Sequence, residues 1–198
     1  IDSINTLRKP QVRWIDKISA NLKHAVKTRY TYNRWSTQSS PMGGVIFPSY
    51  TGERVKIVFA VDTSGSMGIN DYEYALSELQ GVLNSFEAWE VEYVQCDTTA
   101  KSVGRFTSDD NPDMKEWAMA VFGGNGTRMS VVIEHVNELY NVDAEEFDAV
   151  IILTDGFLMR GDVDDTPSVV DNVIVVSTRN DSLELKQAEV IILENESK

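Results

Sequence analysis

Five oxygen-bearing side chains stand where a fold could gather them. The stretch "AVDTSGSMG", residues 60–68, ends an apolar run in Asp62 and then places Ser64 and Ser66 at alternate positions. Thr127 follows "FGGNG" immediately before a helical pattern, and Asp155 closes "AVIILTDG". All five are hard oxygen donors with no His or Cys near them in sequence, which argues against zinc or copper and suits magnesium, with manganese or calcium as alternatives. Magnesium takes six oxygens at about 2.1 Å and keeps water where the protein supplies no ligand. Hydroxyls are weak neutral donors, so the ion stays electrophilic, and its exchangeable water invites an incoming carboxylate. An Asx turn followed by a helix cap would explain Asp62, Ser64 and Ser66 taken alone, and Asp155-Gly156 alone reads as a turn. The five together carry the metal reading.

The elements that must position these residues begin at about residue 55. "RVKIVFAV" is a continuous apolar run, as expected of a strand covered on both faces. "NDYEYALSELQGVLNSF" follows as a helix, with Asn70 and Glu73 as a capping box and Ala75, Leu76, Leu79, Val82, Leu83 and Phe86 as its buried stripe. Strands are predicted in "EVEYVQCD", "AKSVGRFT", "FDAVIILTDG", "NVIVVS" and "AEVIILE". Helices are predicted in "PDMKEWAMAVF" and "RMSVVIEHVNELY", the latter from the spacing of Met129, Val132, Val136 and Leu139. Strands alternating with helices predict an α/β fold, a doubly wound, mostly parallel sheet. In such a sheet ligands sit beyond the carboxyl ends of the strands where the winding reverses, which is where Asp62, Asp155 and Thr127 fall.

The amino-terminal part reads differently. Residues 11–28 place Ile15, Ile18, Leu22 and Ala25 at helical spacing among lysines and arginines, an amphipathic basic helix that docks its apolar stripe. "TRYTYNRWSTQSSPMGGVIFPSYTGE" has no clear period and reads as an irregular connector with a short extended piece at "GGVIF". The division expected is an arm over 1–54 and a domain over 55–198.

At "DTSGS", with Thr127 and Asp155, the chain resembles the von Willebrand factor A (VWA) family and its metal-ion-dependent adhesion site. The resemblance covers roughly residues 55–195. It implies six strands in the order 3-2-1-4-5-6 with the third antiparallel, and it implies Ser64, Ser66 and Thr127 as direct ligands with the aspartates often acting through water. A closer resemblance is to the VWA-like domain carboxyl-terminal to a putative metallopeptidase domain in bacterial and phage proteins. That resemblance rests on "LRKPQVRW", "NRW…FPS", the Cys96-Asp97 pair, "GGNGT" and "LTDG". The glycine-rich loop in that group runs closer to GGGGT, so Asn125 departs from it. The peptidase half would carry an HExxH zinc helix, and this sequence has none.

Charge and composition narrow the function. The net charge of −13 divides unevenly: residues 1–56 hold ten Lys/Arg against three Asp/Glu, and residues 57–198 eight against twenty-eight. A domain so acidic is ill suited to nucleic acid, although the basic arm, interleaved with Trp14, Tyr30, Tyr32 and Trp35, could stack on single strands. Helix docking explains the same residues. The single cysteine, Cys96, is expected to be a small buried hydrophobe and fits a reducing, cytoplasmic setting. No apolar run approaches a membrane span. The chain opens on Ile1 rather than Met, so a segment of a longer protein is expected. His24 and His135 are expected to be solvated, as are the acids of "SDDNPD" and "GDVDD". Were the latter to ring the cation, they would repel an acidic partner. Asp97, at a strand end, reads as a turn residue or a neighbour of the site.

Three functions compete. A non-enzymatic, magnesium-dependent protein-binding module, partnered by a protein presenting Asp or Glu, is the first. Related intracellular VWA proteins suggest an AAA+ ATPase of the MoxR group as that partner. A metal-dependent phosphoryl hydrolase or transferase is the second, with Asp62 as nucleophile, but the second acid two residues on that such enzymes use is here Ser64. Nucleic-acid binding through the arm is the third.

Overall fold

The computed structural model describes residues 14–27, 30–35, 48–50, 54–110 and 126–192. Eight strands and three helices lie within them: α1 (Trp14–Lys27), β1 (Tyr30–Trp35), β2 (Pro48–Tyr50), β3 (Arg54–Asp62), α2 (Ile69–Leu83), β4 (Ala88–Cys96), β5 (Ala100–Thr107), α3 (Ser130–Asp143), β6 (Ala149–Thr154), β7 (Val173–Ser177) and β8 (Glu189–Ile192). The helix expected over 112–122, the capping box of Asn70 and Glu73, Trp14, Trp35, His24 and "GGVIF" lie outside the described residues or side chains.

Strands β3 to β8 form one sheet in the order β5-β4-β3-β6-β7-β8. Every pairing is parallel except β4 with β5. This is the order and the single antiparallel strand that the VWA resemblance implies. β3 sits at the centre because its residues from Ile57 to Val61 are all apolar and buried, as a strand covered by helices on both faces requires.

The alternation of side chains across the sheet separates two cores. Ile57, Phe59, Val61, Trp89 and Tyr93 face α1 and α2, where Leu76, Leu79, Val82, Leu83 and Phe86 are buried. Val58, Ala60, Val94, Ile152 and Val175 face α3, where Met129, Val132, Ile133 and Val136 are buried. Ile18 and Leu22 of α1 are fully buried in the first core. Burial of two such side chains contributes about 2 kcal/mol each, which anchors the basic helix on the acidic domain.

The connector read as irregular contains a two-stranded antiparallel pair, with Tyr30 opposite Tyr50 and Thr31 opposite Ser49. Its signal is the alternating aromatic and β-branched run "YTY", which favours an extended chain. The span from Thr178 to Ala188 holds turns and no helix.

Candidate metal centre

Two neighbouring parallel strands end side by side at the centre of the sheet. Val61 pairs with Leu153, so Asp62 and Thr154 emerge next to each other. The Thr154 hydroxyl donates to Asp62 Oδ2 at 2.7 Å. The Ser64 backbone N–H donates to Asp62 Oδ1 at 2.8 Å, closing the turn as a local Asx bond does. Asp62 has no exposed surface and both its carboxylate oxygens are engaged. The Tyr72 hydroxyl, from α2, donates to the Asp62 carbonyl at 2.9 Å and fixes the strand end.

From this base a hydrogen-bonded chain runs outward. Ser64 Oγ lies 3.0 Å from Ser66 Oγ. The Ser66 hydroxyl donates in turn to Asp155 Oδ2, and Asp155 Oδ1 accepts the Phe157 N–H at 3.0 Å. The Asp155 carbonyl accepts the Asn180 N–H at 3.0 Å, tying β6 to the loop after β7. Gly156 makes that turn with φ +86°, and a Cβ on it would lie 2.2 Å from Ser177 Oγ and 2.8 Å from Asn180 Cβ. Only glycine fits there.

Thr127 reaches the same end of the sheet through its neighbours. The Arg128 N–H donates to the Asp97 carbonyl at 2.7 Å, and the Thr63 N–H donates to the adjoining Cys96 carbonyl at 2.8 Å. Gly126, at φ +132°, packs against Thr98, its would-be Cβ 3.2 Å from Thr98 Cγ2. Thr127 is therefore held one strand away from Asp62. Among the described residues no hydrogen bond joins its side chain to the other four.

The electrostatics set this rim apart. Burial pushes the Asp62 carboxyl above its ordinary value; the Ser64 and Thr154 hydrogen bonds pull it back only in part, and the charge of Asp155 adds to the rise. Among the described residues no ion pair with Lys, Arg or His involves Asp62 or Asp155. No cluster of three or more His, Cys, Asp or Glu side chains able to hold a metal exists among them either. A cation here would have to use the hydroxyls, and the donor set, two acids without a positive partner and three hydroxyls, fits a hard divalent ion.

Some neighbours keep their sequence-based reading and others depart from it. Asp97 is a turn residue: its Oδ1 accepts the Thr98 and Thr99 N–H groups, and the Thr99 bond foremost holds its carboxyl below the usual range. Cys96 is a buried hydrophobe as expected, its thiol pushed well up by burial. Two acids of "GDVDD" are not solvated loop charges ringing the site. Asp162 accepts the Met129 N–H at 2.7 Å and the Ser130 N–H at 3.0 Å, capping α3 from 32 residues away. Asp164 Oδ1 accepts the Lys186 and Gln187 N–H groups. Free peptide N–H groups at a helix start attract a carboxylate wherever it comes from in the sequence. His135 is not solvated either; it is largely buried against β4, its Nε2 4.0 Å from Glu92 Oε1. Thr154 and Asn180 went unremarked in the sequence; the only signal for Thr154 was a hydroxyl interrupting an apolar run just before an acid.

The family described as a VWA-like domain (DUF2201) matches residues 57–194, more than half of the chain. The chain belongs to that family, and membership is consistent with a protein-interaction module. No curated protein matches it. Among solved structures, an aerotolerance-related membrane protein from Bacteroides fragilis is similar at 20% identity and a TM-score of 0.50, over 62% of this chain and 67% of that one. That likeness supports the fold alone. BatB from Bacteroides thetaiotaomicron is similar at 17% identity, a TM-score of 0.47 and coverage of 63% and 66%. The ArnB paralog VWA2 from Sulfolobus acidocaldarius is similar at 16% identity and a TM-score of 0.49, the match covering 64% of this chain and 35% of that one. Among the described residues no helix is long and apolar enough to cross a membrane.

Proposed function

We propose that this domain is a non-enzymatic, divalent-cation-dependent protein-binding module whose partner supplies an Asp or Glu side chain. The observation that carries the reading is the chain from Asp62 through Ser64 and Ser66 to Asp155, in which two buried acids have no cationic partner among the described residues. Ser64, Ser66 and Thr127 would hold magnesium, with manganese or calcium as substitutes, and Asp62 and Asp155 would act through water. When bound, the ion supplies an electrophilic position for the partner's carboxylate. The protein's own residues orient the hydroxyls: Asp62 fixes the Ser64 turn, and Gly156 fixes Asp155. Asp62 is a poor nucleophile for phosphoryl transfer, because it is inaccessible and both its oxygens already accept hydrogen bonds. A MoxR-group AAA+ ATPase is the partner to test first, in a cytoplasmic setting, with residues 1–54 joining the module to the rest of its protein.

Thermal melts with magnesium, manganese or EDTA, alongside titration calorimetry, test the metal. Magnesium is expected to raise the melting temperature of the wild type and to leave the Ser64→Ala/Ser66→Ala variant unmoved. Equal shifts in both proteins would remove the basis of the reading.

A further inference from the structure

The loop that leaves the proposed metal centre carries two large apolar side chains into solvent. Phe157 is 65% exposed and Met159 72% exposed, two and four residues beyond Asp155. Between them Leu158 is partly buried against the α3-side core, so the loop is anchored through its middle residue and turns its two neighbours outward. The backbone on either side is fixed: before the loop the Phe157 N–H is held by Asp155 Oδ1 and the Gly156 carbonyl accepts Asn180 Nδ2 at 2.8 Å, and after it the Met159 carbonyl accepts the Asp162 N–H at 3.1 Å. An anchored loop presenting Phe and Met to water is unusual for a surface with no contact to make.

Charge marks the same face. Asp162 and Asp164, the next acids along the loop, point into hydrogen bonds with α3 and with the Lys186–Gln187 backbone. Arg160 is exposed beside Met159, whereas the Arg128 guanidinium, beside Thr127, is taken up by Glu134 and the Ser130 hydroxyl. The loop thus offers two apolar side chains and the Arg160 guanidinium close in sequence to Asp155, one of two acids with no cationic partner among the described residues, which suits an acidic segment with an apolar residue close by.

We propose that Phe157 and Met159 form a subsite that reads the residues flanking the partner's coordinating carboxylate, and that the occupant is a peptide segment in which Asp or Glu has a large apolar side chain nearby. A chain spans at most about 3.5 Å per residue, so both side chains stem from within roughly 14 Å of Asp155 along the backbone. The partner's apolar residue therefore falls one to four positions from its acid. The proposal rests on the metal-dependent reading of the site above.

The test uses fluorescence anisotropy with three labelled octapeptides at millimolar magnesium: one with a central Glu flanked by leucines, one with that Glu flanked by serines, and one with Gln in the leucine frame. The leucine-flanked Glu peptide is expected to bind roughly tenfold tighter than the serine-flanked one, and the Gln peptide not at all. Phe157→Ser/Met159→Ser should erase the tenfold difference while leaving the magnesium-induced melting shift intact. Equal binding of both Glu peptides overturns the subsite and leaves the metal reading standing. A leucine preference that survives EDTA, or binding of neither Glu peptide at millimolar concentration, overturns the proposal as stated. Loss of the magnesium melting shift in the wild type strikes the metal reading itself. Sedimentation equilibrium covers the remaining occupant: a dimer abolished by the double variant would mean that a second copy of this chain fills the subsite.

Discussion

Two sets of buried acids sit on the same sheet and are treated in opposite ways. At the carboxyl end of β3, Asp62 has no surface and, among the described residues, no cationic partner, and burial pushes its carboxyl up. Partway along β4, Glu92 is 5% exposed, yet its carboxyl is lowered to about 2. Burial pushes Glu92 upward too, but is outweighed by the His135 imidazole nearby and by bonds from the Ser102 hydroxyl and the Arg105 guanidinium. Around it Lys56 pairs with Glu90 and Glu145, and Arg105 reaches Glu90, Glu92 and Glu145. Lys56 also lies 5.0 Å above the Phe147 ring. The lower half of this face is charge-balanced by the chain itself. Among the described residues the upper rim is not, and that contrast is the physical content of the functional proposal: a buried carboxylate without a cation is a place for a ligand.

The largest expected effect comes from breaking the rim sterically. Gly156→Ala forces a Cβ onto Ser177 and Asn180 at a positive φ, and should destabilise the domain by about 3 kcal/mol, read as a lower melting temperature and a lost magnesium shift. The balanced half comes next. A carboxyl lowered from 4.5 to about 2 contributes stability that is present above about pH 4.5 and lost as pH falls toward 2. Glu92→Gln should therefore cost about 2 kcal/mol at neutral pH and flatten the acid limb of the stability profile, measured by urea melts across that window. An unaltered acid limb would show that Glu92 is not the group balanced there.

The smallest effect has the opposite sign and sharpens the contrast most. A raised folded-state carboxyl means that Asp62 stabilises the fold while protonated and that this contribution is lost as pH rises through its titration. Asp62→Asn keeps acceptance from the Ser64 N–H and can donate to the Thr154 hydroxyl. In EDTA at neutral pH it should melt higher than the wild type, by about 1 kcal/mol of stability, while its magnesium shift disappears. A lower melting temperature in EDTA would mean that the rim is already compensated from within.

The mostly parallel sheet was legible because β3, β6 and β7 are nearly pure apolar runs and because α2 and α3 repeat their apolar residues at helical spacing, whereas the strand order came from the VWA resemblance alone. The four residues of the hydrogen-bonded chain were legible because acid and hydroxyl types at strand ends have few other reasons to recur. What stayed hidden depended on partners distant in sequence. Asp162 looks like a loop charge until α3 delivers two N–H groups to it. His135 looks solvated on a helical wheel because the wheel does not contain Glu92. Thr154 reads as filler in a strand until Asp62 stands beside it. Short aromatic strands such as β1 lack the length for a period to emerge from their neighbours.

The grip of Asp162 has a mechanical corollary. One carboxylate holding two consecutive peptide nitrogens yokes the segment that displays Phe157 and Met159 to the turn that carries Thr127, although α3 and β6 separate the two in the chain. In the proposed reading, a partner that engages Phe157 and Met159 would therefore bear, through Asp162, on the turn that presents the threonine hydroxyl, as two levers share one axle.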